Sequence, residues 1–454
     1  MLENIENISV SDILKETGGT LLCGREDFVI KSISTDSREN GESCLYIPIV
    51  GERFDGHDFI LNALQNGCTG YLTSKDDTDA KADFAIKVSD TKKALLDIAR
   101  VYHKKFNCDI ISLTGSVGKT TTKEFIASVL DMKFNTIKTK ANYNNEIGLP
   151  FTLFGINNTT QKAVVEMGMS NFGEISALTN CALGDVAIIT NIGTSHIEYL
   201  KSREGILKAK SEIFEGLNKD GVAILNGDDD LLITLKGKLP FKTLFFGIEN
   251  KDCDVVASDI KLCELSSEFK INGEEFKVNI PGIHNIYNAL CAYSVAKLYN
   301  MSYEEIKNGL LNYKSDGIRQ SIIEKEGVKF FNDCYNSSPQ SAKSSLEVLK
   351  GLEGKRKIAI LGDMKELGEN SHKYHKEVGE HFAALKCDVL ITLGNDAKFI
   401  AKGAHEKGVL KENIFSFDTN TEIIKKLKEF LENGDCVLIK GSHSMKMHEI
   451  LENL

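Results

Sequence analysis

No CxxC pair occurs among the eleven cysteines of this 454-residue chain, which run from Cys23 to Cys436. Secreted disulfide frameworks and zinc sites need close, regular spacings, so reduced and mostly buried thiols are expected instead. Positive charge is also short: 55 Lys and Arg stand against 65 Asp and Glu, a net charge of -10. That excludes a protein working through a broad basic surface, and with it a nucleic-acid partner. An acidic protein that takes phosphorylated ligands must use local donors and metal ions. No apolar run is long enough to cross a bilayer. The opening Met1-Leu2-Glu3-Asn4-Ile5-Glu6 is acidic and polar, unlike a secretory signal peptide. A soluble cytoplasmic chain without membrane insertion is the expectation. Repeats, heptads and a GxGxxG fingerprint are missing too, so analogy with dinucleotide enzymes carries no functional weight.

What is present is ordinary globular composition, 42% hydrophobic and 26% charged, in a chain long enough for about three domains. The first unit, 1–88, reads as a small α/β domain. It has a helix over Val10 to Thr17 capped by Ser9, strands at Ser43 to Ile49 and Thr69 to Thr73, and a helix from Phe59 to Gln65 between them. A helical apolar stripe from Thr91 to Phe106 then leads into a second unit, 89–315. There, Ile110 to Leu113, Ala163 to Glu166, Val186 to Thr190 and Val222 to Leu225 are short apolar runs that alternate with helical segments. Such runs imply a parallel sheet covered on both faces. Asn272-Gly273, between two alternating stretches, signals a hairpin and so an antiparallel ribbon beside that sheet. The third unit, 316–454, repeats the buried-strand pattern at Lys357 to Leu361, Val389 to Leu393 and Cys436 to Ile439 in a Rossmann-like arrangement.

The strongest motif is Thr114-Gly115-Ser116-Val117-Gly118-Lys119-Thr120-Thr121-Thr122-Lys123-Glu124. It follows one apolar strand and opens a helix, the context a phosphate loop requires. Gly115 and Gly118 let backbone N–H groups approach phosphate oxygens, and the helix start adds free donors. Lys119 is placed to neutralise a transferring phosphate and the Thr120 hydroxyl to ligate Mg²⁺. The glycines stand closer together than in the general GxxxxGK[ST] pattern, so a tight glycine turn without ligand is the competing reading. Glu166, at the end of a strand, offers a hard oxygen for Mg²⁺ or is a solvated loop acid. Asn285 and Asn288, one helical turn apart, can read an adenine edge or cap a helix.

TGSVGKTTTKE resembles the ATP loop of the Mur ligases, with Val117 where that family usually has Asn. Four more strings are similar to the family in the same order: Glu166-Met167-Gly168, Asn191-Ile192-Gly193-Thr194-Ser195-His196, Lys208-Ala209-Lys210-Ser211-Glu212-Ile213, and Pro281-Gly282-Ile283-His284-Asn285-Ile286-Tyr287-Asn288-Ala289-Leu290. The resemblance implies ATP bound by Thr114 to Thr121, Asn285, Asn288, Arg319 and Asp333, with Arg319 on phosphate and Asp333 on the ribose, although either of these two can instead form a structural ion pair. It also implies two Mg²⁺ ions held by Thr120, Glu166, His196 and a carbamylated Lys210, so that Lys119, Lys210, His196 and Glu166 carry catalysis. On the residues alone, His196 is more often a hydrogen-bonded structural histidine, and spacing favours Lys210 as an ordinary surface lysine of a helix.

Within the family, Asp333-Cys334-Tyr335-Asn336-Ser337-Ser338-Pro339-Gln340-Ser341, Leu361-Gly362-Asp363-Met364-Lys365-Glu366-Leu367-Gly368 and Lys440-Gly441-Ser442-His443-Ser444-Met445 resemble the branch that adds D-alanyl-D-alanine. Ser337-Ser338 replaces the usual Ala-Asn and His443 a more usual Arg. A DNPR-type motif of the diaminopimelate-adding relatives is absent. Ser34-Thr35-Asp36-Ser37-Arg38 resembles part of the family's UDP-sugar domain, and the segment with Asn142, Asn144 and Asn145 its precursor-binding loop. Tyr335 and Asn336 are the further substrate candidates. The implied reaction is ATP-dependent ligation of D-alanyl-D-alanine to UDP-N-acetylmuramoyl-tripeptide through an acyl phosphate, by a monomer. The competing readings are a folylpolyglutamate-type or other Mur-type ligase, and a P-loop ATPase that makes no bond.

Overall fold

A computed structural model describes residues 2–39, 41–76, 81–315, 317 and 319–454. Asp316, the expected first residue of the third unit, lies outside the described residues. Three sheets succeed one another along the chain. The first holds β1 (Leu2–Ser9), β2 (Thr20–Cys23), β3 (Val29–Ser34), β4 (Cys44–Tyr46), β5 (Gly70–Thr73) and β6 (Phe84–Lys87), in the order β1-β3-β4-β5-β6-β2. Its inner strands run parallel and its two edge strands antiparallel.

The acidic opening segment is therefore a strand, which its charge had concealed. Ile5 and Ile8 are buried in the main core, while Glu6 between them is exposed on an edge strand. Ser9 does cap the helix Val10–Thr17, in a reciprocal box with Asp12. The strand expected over Ser43 to Ile49 is shorter, Cys44–Tyr46, its pairing with β3 ending where Ile47 N–H donates to the Ser34 carbonyl. Helix Thr91–His103 also stops short of Phe106. Its Leu95, Ile98 and Tyr102 join the first unit's Ile8 and Ile30 to the central unit's Leu149 and Phe154 in one continuous core.

The central sheet has nine strands: β7 (Asp109–Thr114), β8 (Thr136–Lys138), β9 (Lys162–Glu166), β10 (Val186–Ile189), β11 (Val222–Asn226), β12 (Lys242–Gly247), β13 (Val255–Leu262), β14 (Ser267–Ile271) and β15 (Glu274–Val278). Their order is β15-β14-β13-β12-β11-β10-β7-β9-β8. Strands β7 to β12 pair in parallel, and the β13-β14-β15 ribbon is antiparallel at one side, as the hairpin signal required. Neighbouring residues alternate between two cores: Ile110 and Ile189 face one, Ile111, Leu113 and Ile188 the other. Both faces are thus dry, which explains why these strands are apolar throughout. The chain passes from β7 to one side, through β8 and β9, and then to the other side, through β10. The end of β7 is therefore a topological switch point, where α/β sheets open a crevice.

The third sheet orders β16 (Ser321–Lys325), β17 (Val328–Asn332), β18 (Lys357–Gly362), β19 (Val389–Leu393), β20 (Ile414–Phe417) and β21 (Cys436–Lys440) as β16-β17-β21-β18-β19-β20. All its pairings are parallel except that of β16 with β17. Among the described residues no helix is long and apolar enough to cross a membrane.

Candidate active site

Strand β7 ends at Thr114, whose hydroxyl donates to the Met167 carbonyl (2.9 Å) and ties the strand to the end of β9. The chain turns over residues 115–118 and enters helix Lys119–Leu130, with Gly118 as its N-cap at φ +83°. No side chain caps this helix, so its first N–H groups remain for an anion. Gly115 is required sterically, since a Cβ there would lie 1.9 Å from Thr190 Oγ1. The loop is held from one side by a residue to which the sequence attached no role. Asn191 Oδ1 accepts from Val117 N–H (2.9 Å) and its amide donates to the Val117 carbonyl (2.7 Å). Only the main chain at 117 is held, so Val in place of the family's Asn leaves this clamp intact.

A cavity of about 580 Å³ opens above the loop, between the central and third units. Its walls include Ser116 to Thr121, Asn142, Asn144, Asn145, Glu166, His196 and Asn288 on one side, and Arg319, Asp333, Tyr335 and Asn336 on the other. That volume suits a nucleotide. Lys119 Nζ donates to the Gly115 carbonyl (2.9 Å). Desolvation pushes its ammonium below the ordinary value, and the Arg319 guanidinium across the cavity adds to this. Arg319 lies over the Tyr335 ring at 3.5 Å. Two cations facing each other in a closing crevice are a receptor for a polyanion.

Glu166 is 2% exposed, which removes the solvated-acid reading. Its Oε1 accepts from Asn144 (2.8 Å) and Thr120 (3.3 Å), while the buried Oε2 has no hydrogen-bond partner and faces the Lys123 ammonium at 3.8 Å. An orphaned carboxylate oxygen beside a threonine hydroxyl is a hard-oxygen donor set that fits Mg²⁺. His196 adopts a left-handed conformation, φ +62°, and its Nδ1 lies 2.5 Å from Glu366 of the third unit, whose carboxyl it holds below the ordinary range. A carboxylate on Nδ1 leaves Nε2 as the nitrogen for a metal.

Lys210 is 1% exposed, so it is no surface lysine, and it has no hydrogen bond or ion pair among the described residues. Burial drives its pKa well down, and the charge of nearby Lys119 acts in the same direction.

Other predicted residues are placed differently. Asn285 is fully buried behind the cavity wall: its amide donates to the Pro281 carbonyl (2.7 Å) and Gln320 (2.8 Å), and its oxygen accepts from Asn288 (3.1 Å). Neither asparagine caps the helix, which has Gly282 as N-cap and no side-chain cap bond. Only Asn288 reaches the cavity, with its Oδ1 accepting from Thr122 (2.9 Å). Asp333 is an ion pair after all, with Lys440 at 2.5 Å, and also accepts from Ser345 (2.7 Å) while lining the cavity. Asn145 caps the following turn through Ile147 and Gly148 N–H. Ser34, Thr35, Asp36, Ser37 and Arg38 do not line this cavity. They form a separate loop in which Asp36 grips the exposed Arg38 (2.8 Å to Nε) and Ser34 donates to Glu39 (3.1 Å). Lys123, Gln320 and Lys440 carry contacts here that nothing in their spacing announced.

Family models match most of the chain: the Mur ligase middle domain over 113–296, the Mur ligase glutamate ligase domain over 318–443, and the Mur ligase family catalytic domain over 29–103. A UDP-N-acetylmuramoyl-tripeptide–D-alanyl-D-alanine ligase from Bacillus subtilis is 38% identical and covers 98% of both chains. The enzyme of that name from Escherichia coli is 31% identical over 94% of both. MurF from Acinetobacter baumannii superposes with a TM-score of 0.91 at 29% identity, covering 100% of this chain and 99% of its own. MurF from Thermotoga maritima, solved with ADP, gives 0.83 at 30% identity over 93% and 96%. Matched along its length in sequence and shape, with a cation-walled crevice at the switch point of its central sheet, the chain belongs to the Mur ligase family.

Proposed function

We propose that this enzyme joins D-alanyl-D-alanine to UDP-N-acetylmuramoyl-tripeptide at the expense of ATP, giving UDP-N-acetylmuramoyl-pentapeptide, ADP and phosphate. Relatives aligned over nearly the whole chain carry that activity in their names. The observation that carries the mechanism is the cavity in which Lys119 and Arg319 converge from two units over an uncapped helix start.

A carboxylate is a poor electrophile, so the tripeptide carboxylate first takes the γ-phosphoryl group, forming an acyl phosphate. The dipeptide amine then attacks that carbonyl and phosphate leaves through a tetrahedral intermediate. Lys119 and the loop N–H groups hold the β- and γ-phosphates, and Arg319 closes over them from the third unit. Thr120 and Glu166 would hold one Mg²⁺ ion; His196 and Lys210, as its carbamate, would hold a second. The metal supplies charge neutralisation on the phosphoryl oxygens. Lys210 is suited to carbamylation because only a neutral amine adds carbon dioxide, and its desolvated site disfavours the ammonium.

The loop from Ser34 to Arg38 would take the UDP end of the precursor, and Tyr335 and Asn336 the acceptor side. Free thiols throughout the described residues suit a reducing cytoplasm, where the enzyme would act as a monomer. Phosphate release from ATP and Mg²⁺, with product mass, is the deciding assay. Release that needs both substrates and yields the pentapeptide mass is expected. Release without that product would instead favour another Mur-type ligase or a plain ATPase.

A further inference from the structure

The two faces of the first sheet are buried unequally. One joins the main core, whereas the other carries only a small satellite cluster around Tyr46, Ile60 and Tyr71. Two cysteines meet inside that cluster. The Cys68 thiol lies 3.1 Å from the Cys44 sulfur, and the two residues are 5% and 0% exposed. The backbone enforces the approach, because Thr69 N–H donates to the Cys44 carbonyl (2.9 Å) where β4 and β5 begin to pair. Among the described residues no group of three or more His, Cys, Asp or Glu side chains is placed to hold a metal ion, so these two thiols are not part of a built thiolate metal centre.

We infer that Cys44 and Cys68 are a redox modification site that closes to a disulfide when the enzyme meets a peroxide. The Cys68 S–H donates to Cys44, which favours the thiolate on Cys44 and disfavours it on Cys68. Cys44 thiolate attacks the peroxide O–O bond, giving a sulfenic acid and hydroxide. Cys68 sulfur then displaces hydroxide from the sulfenic sulfur and gives up its proton. Two thiols and one hydrogen peroxide become one disulfide and two waters.

The pair also supports the loop beside it. Cys68 S–H contacts the Glu39 carbonyl (3.8 Å), and Asn66 donates to the Ser37 carbonyl (2.8 Å). A disulfide is about 2.05 Å long, so the two sulfurs must draw together, and Cys68 loses the proton with which it meets the Glu39 carbonyl. Oxidation therefore loosens the segment from Ser34 to Glu39. The expected consequence for catalysis rests on the proposal that this loop takes the UDP-linked precursor.

The experiment treats the full enzyme, folded, with graded hydrogen peroxide, then unfolds it in N-ethylmaleimide and maps its peptides. A Cys44–Cys68 linked peptide should accumulate before oxidation of exposed Cys23, and Cys68→Ser should abolish it. If both thiols stay alkylatable while Cys23 oxidises, or end as sulfinic acids without a link, the inference is wrong. In parallel, oxidation should raise KM for the precursor about tenfold. KM for ATP should be unchanged, and dithiothreitol should reverse the effect in wild type. A mapped disulfide with unchanged KM overturns the coupling to the loop. An untreated enzyme without ligase activity would count against the proposed function alone, since the peptide map does not depend on it.

Discussion

Among the described residues three lysines, Lys123, Lys210 and Lys440, are no more than 2% exposed, and what each one touches separates their roles. Lys123 donates to the Thr139 carbonyl (2.8 Å) and pairs with Glu124 at 3.2 Å, while Lys440 pairs with Asp333 and donates to the Asn336 carbonyl (3.0 Å). These two are structural cations with their charge answered. Lys210 has no such partner among the described residues, which is costly for an ammonium and tolerable for a neutral amine or a metal-bound carbamate. Lys210→Ala is therefore expected to lower turnover by at least about a hundredfold, as loss of a group that positions transition-state charge does. The urea midpoint should stay level or rise, since the substitution removes an unanswered amine. Intact mass of the wild type in bicarbonate should show the gain of one carbon dioxide, absent from the variant. Equal loss of stability and turnover would assign the lysine to the fold.

At the scale of elements, helix Thr91–His103 shows how burial outweighs local electrostatics. A cation at a helix C-terminus is ordinarily favoured, yet His103 sits 6% exposed with its Nε2–H on the Cys181 carbonyl (3.0 Å), and its pKa falls to about 4 through desolvation. The unfolded chain protonates this histidine near its ordinary value of about 6.5. Between those values the unfolded state binds more protons, so stability falls as pH drops through that window. The full penalty, about 3 kcal/mol, is reached below the folded pKa. His103→Gln keeps a donor for the carbonyl and loses this share of the acid sensitivity. Urea midpoints compared at pH 7 and pH 5 should converge in the variant, and an unchanged difference would assign the acid limb elsewhere.

For the whole molecule, the relation between the central and third units decides activity. Thr194 donates to Gln340 (3.0 Å), His284 meets Gln320 (2.9 Å), and Glu353 N–H donates to Glu264 (3.0 Å). These contacts hold the third unit against the central one across the cavity, with the Arg319 charge felt at Lys119. Closure of this kind assembles a site only when the ligand bridges both halves. Arg319→Ala should reduce kcat by at least about tenfold, as loss of a phosphate-bridging cation does, with little change in the urea midpoint. It should also shrink the rise in thermal midpoint produced by ATP and Mg²⁺. A variant that loses stability in step with turnover would make Arg319 a structural residue.

Much of this architecture is legible locally. The phosphate loop needs only a strand, two glycines and a helix start in succession, and the hairpin turn at Asn272-Gly273 carries its own signal. The apolar strands announce a two-faced parallel sheet because nearly every residue in them is buried, and the order of motifs along the chain is enough for the family. Strand β1 was hidden because only one face of an edge strand is buried, and its charges dominate its composition.

The tertiary structure alone decided which polar groups are free. Asn285 and Asn288 are equivalent in spacing, yet Gln320 from another unit occupies one while the other reaches the cavity. Asp333 is an ion pair because β21 brings Lys440 beside it. The Lys210 ammonium is disfavoured because the fold buries it and sets Lys119, distant in sequence, nearby, and Cys44 meets Cys68 where β4 and β5 begin to pair. Local pattern depends on neighbours within a few residues. Burial, charge pairing and orphaned atoms depend on contacts between residues far apart in the chain, which no stretch of sequence contains.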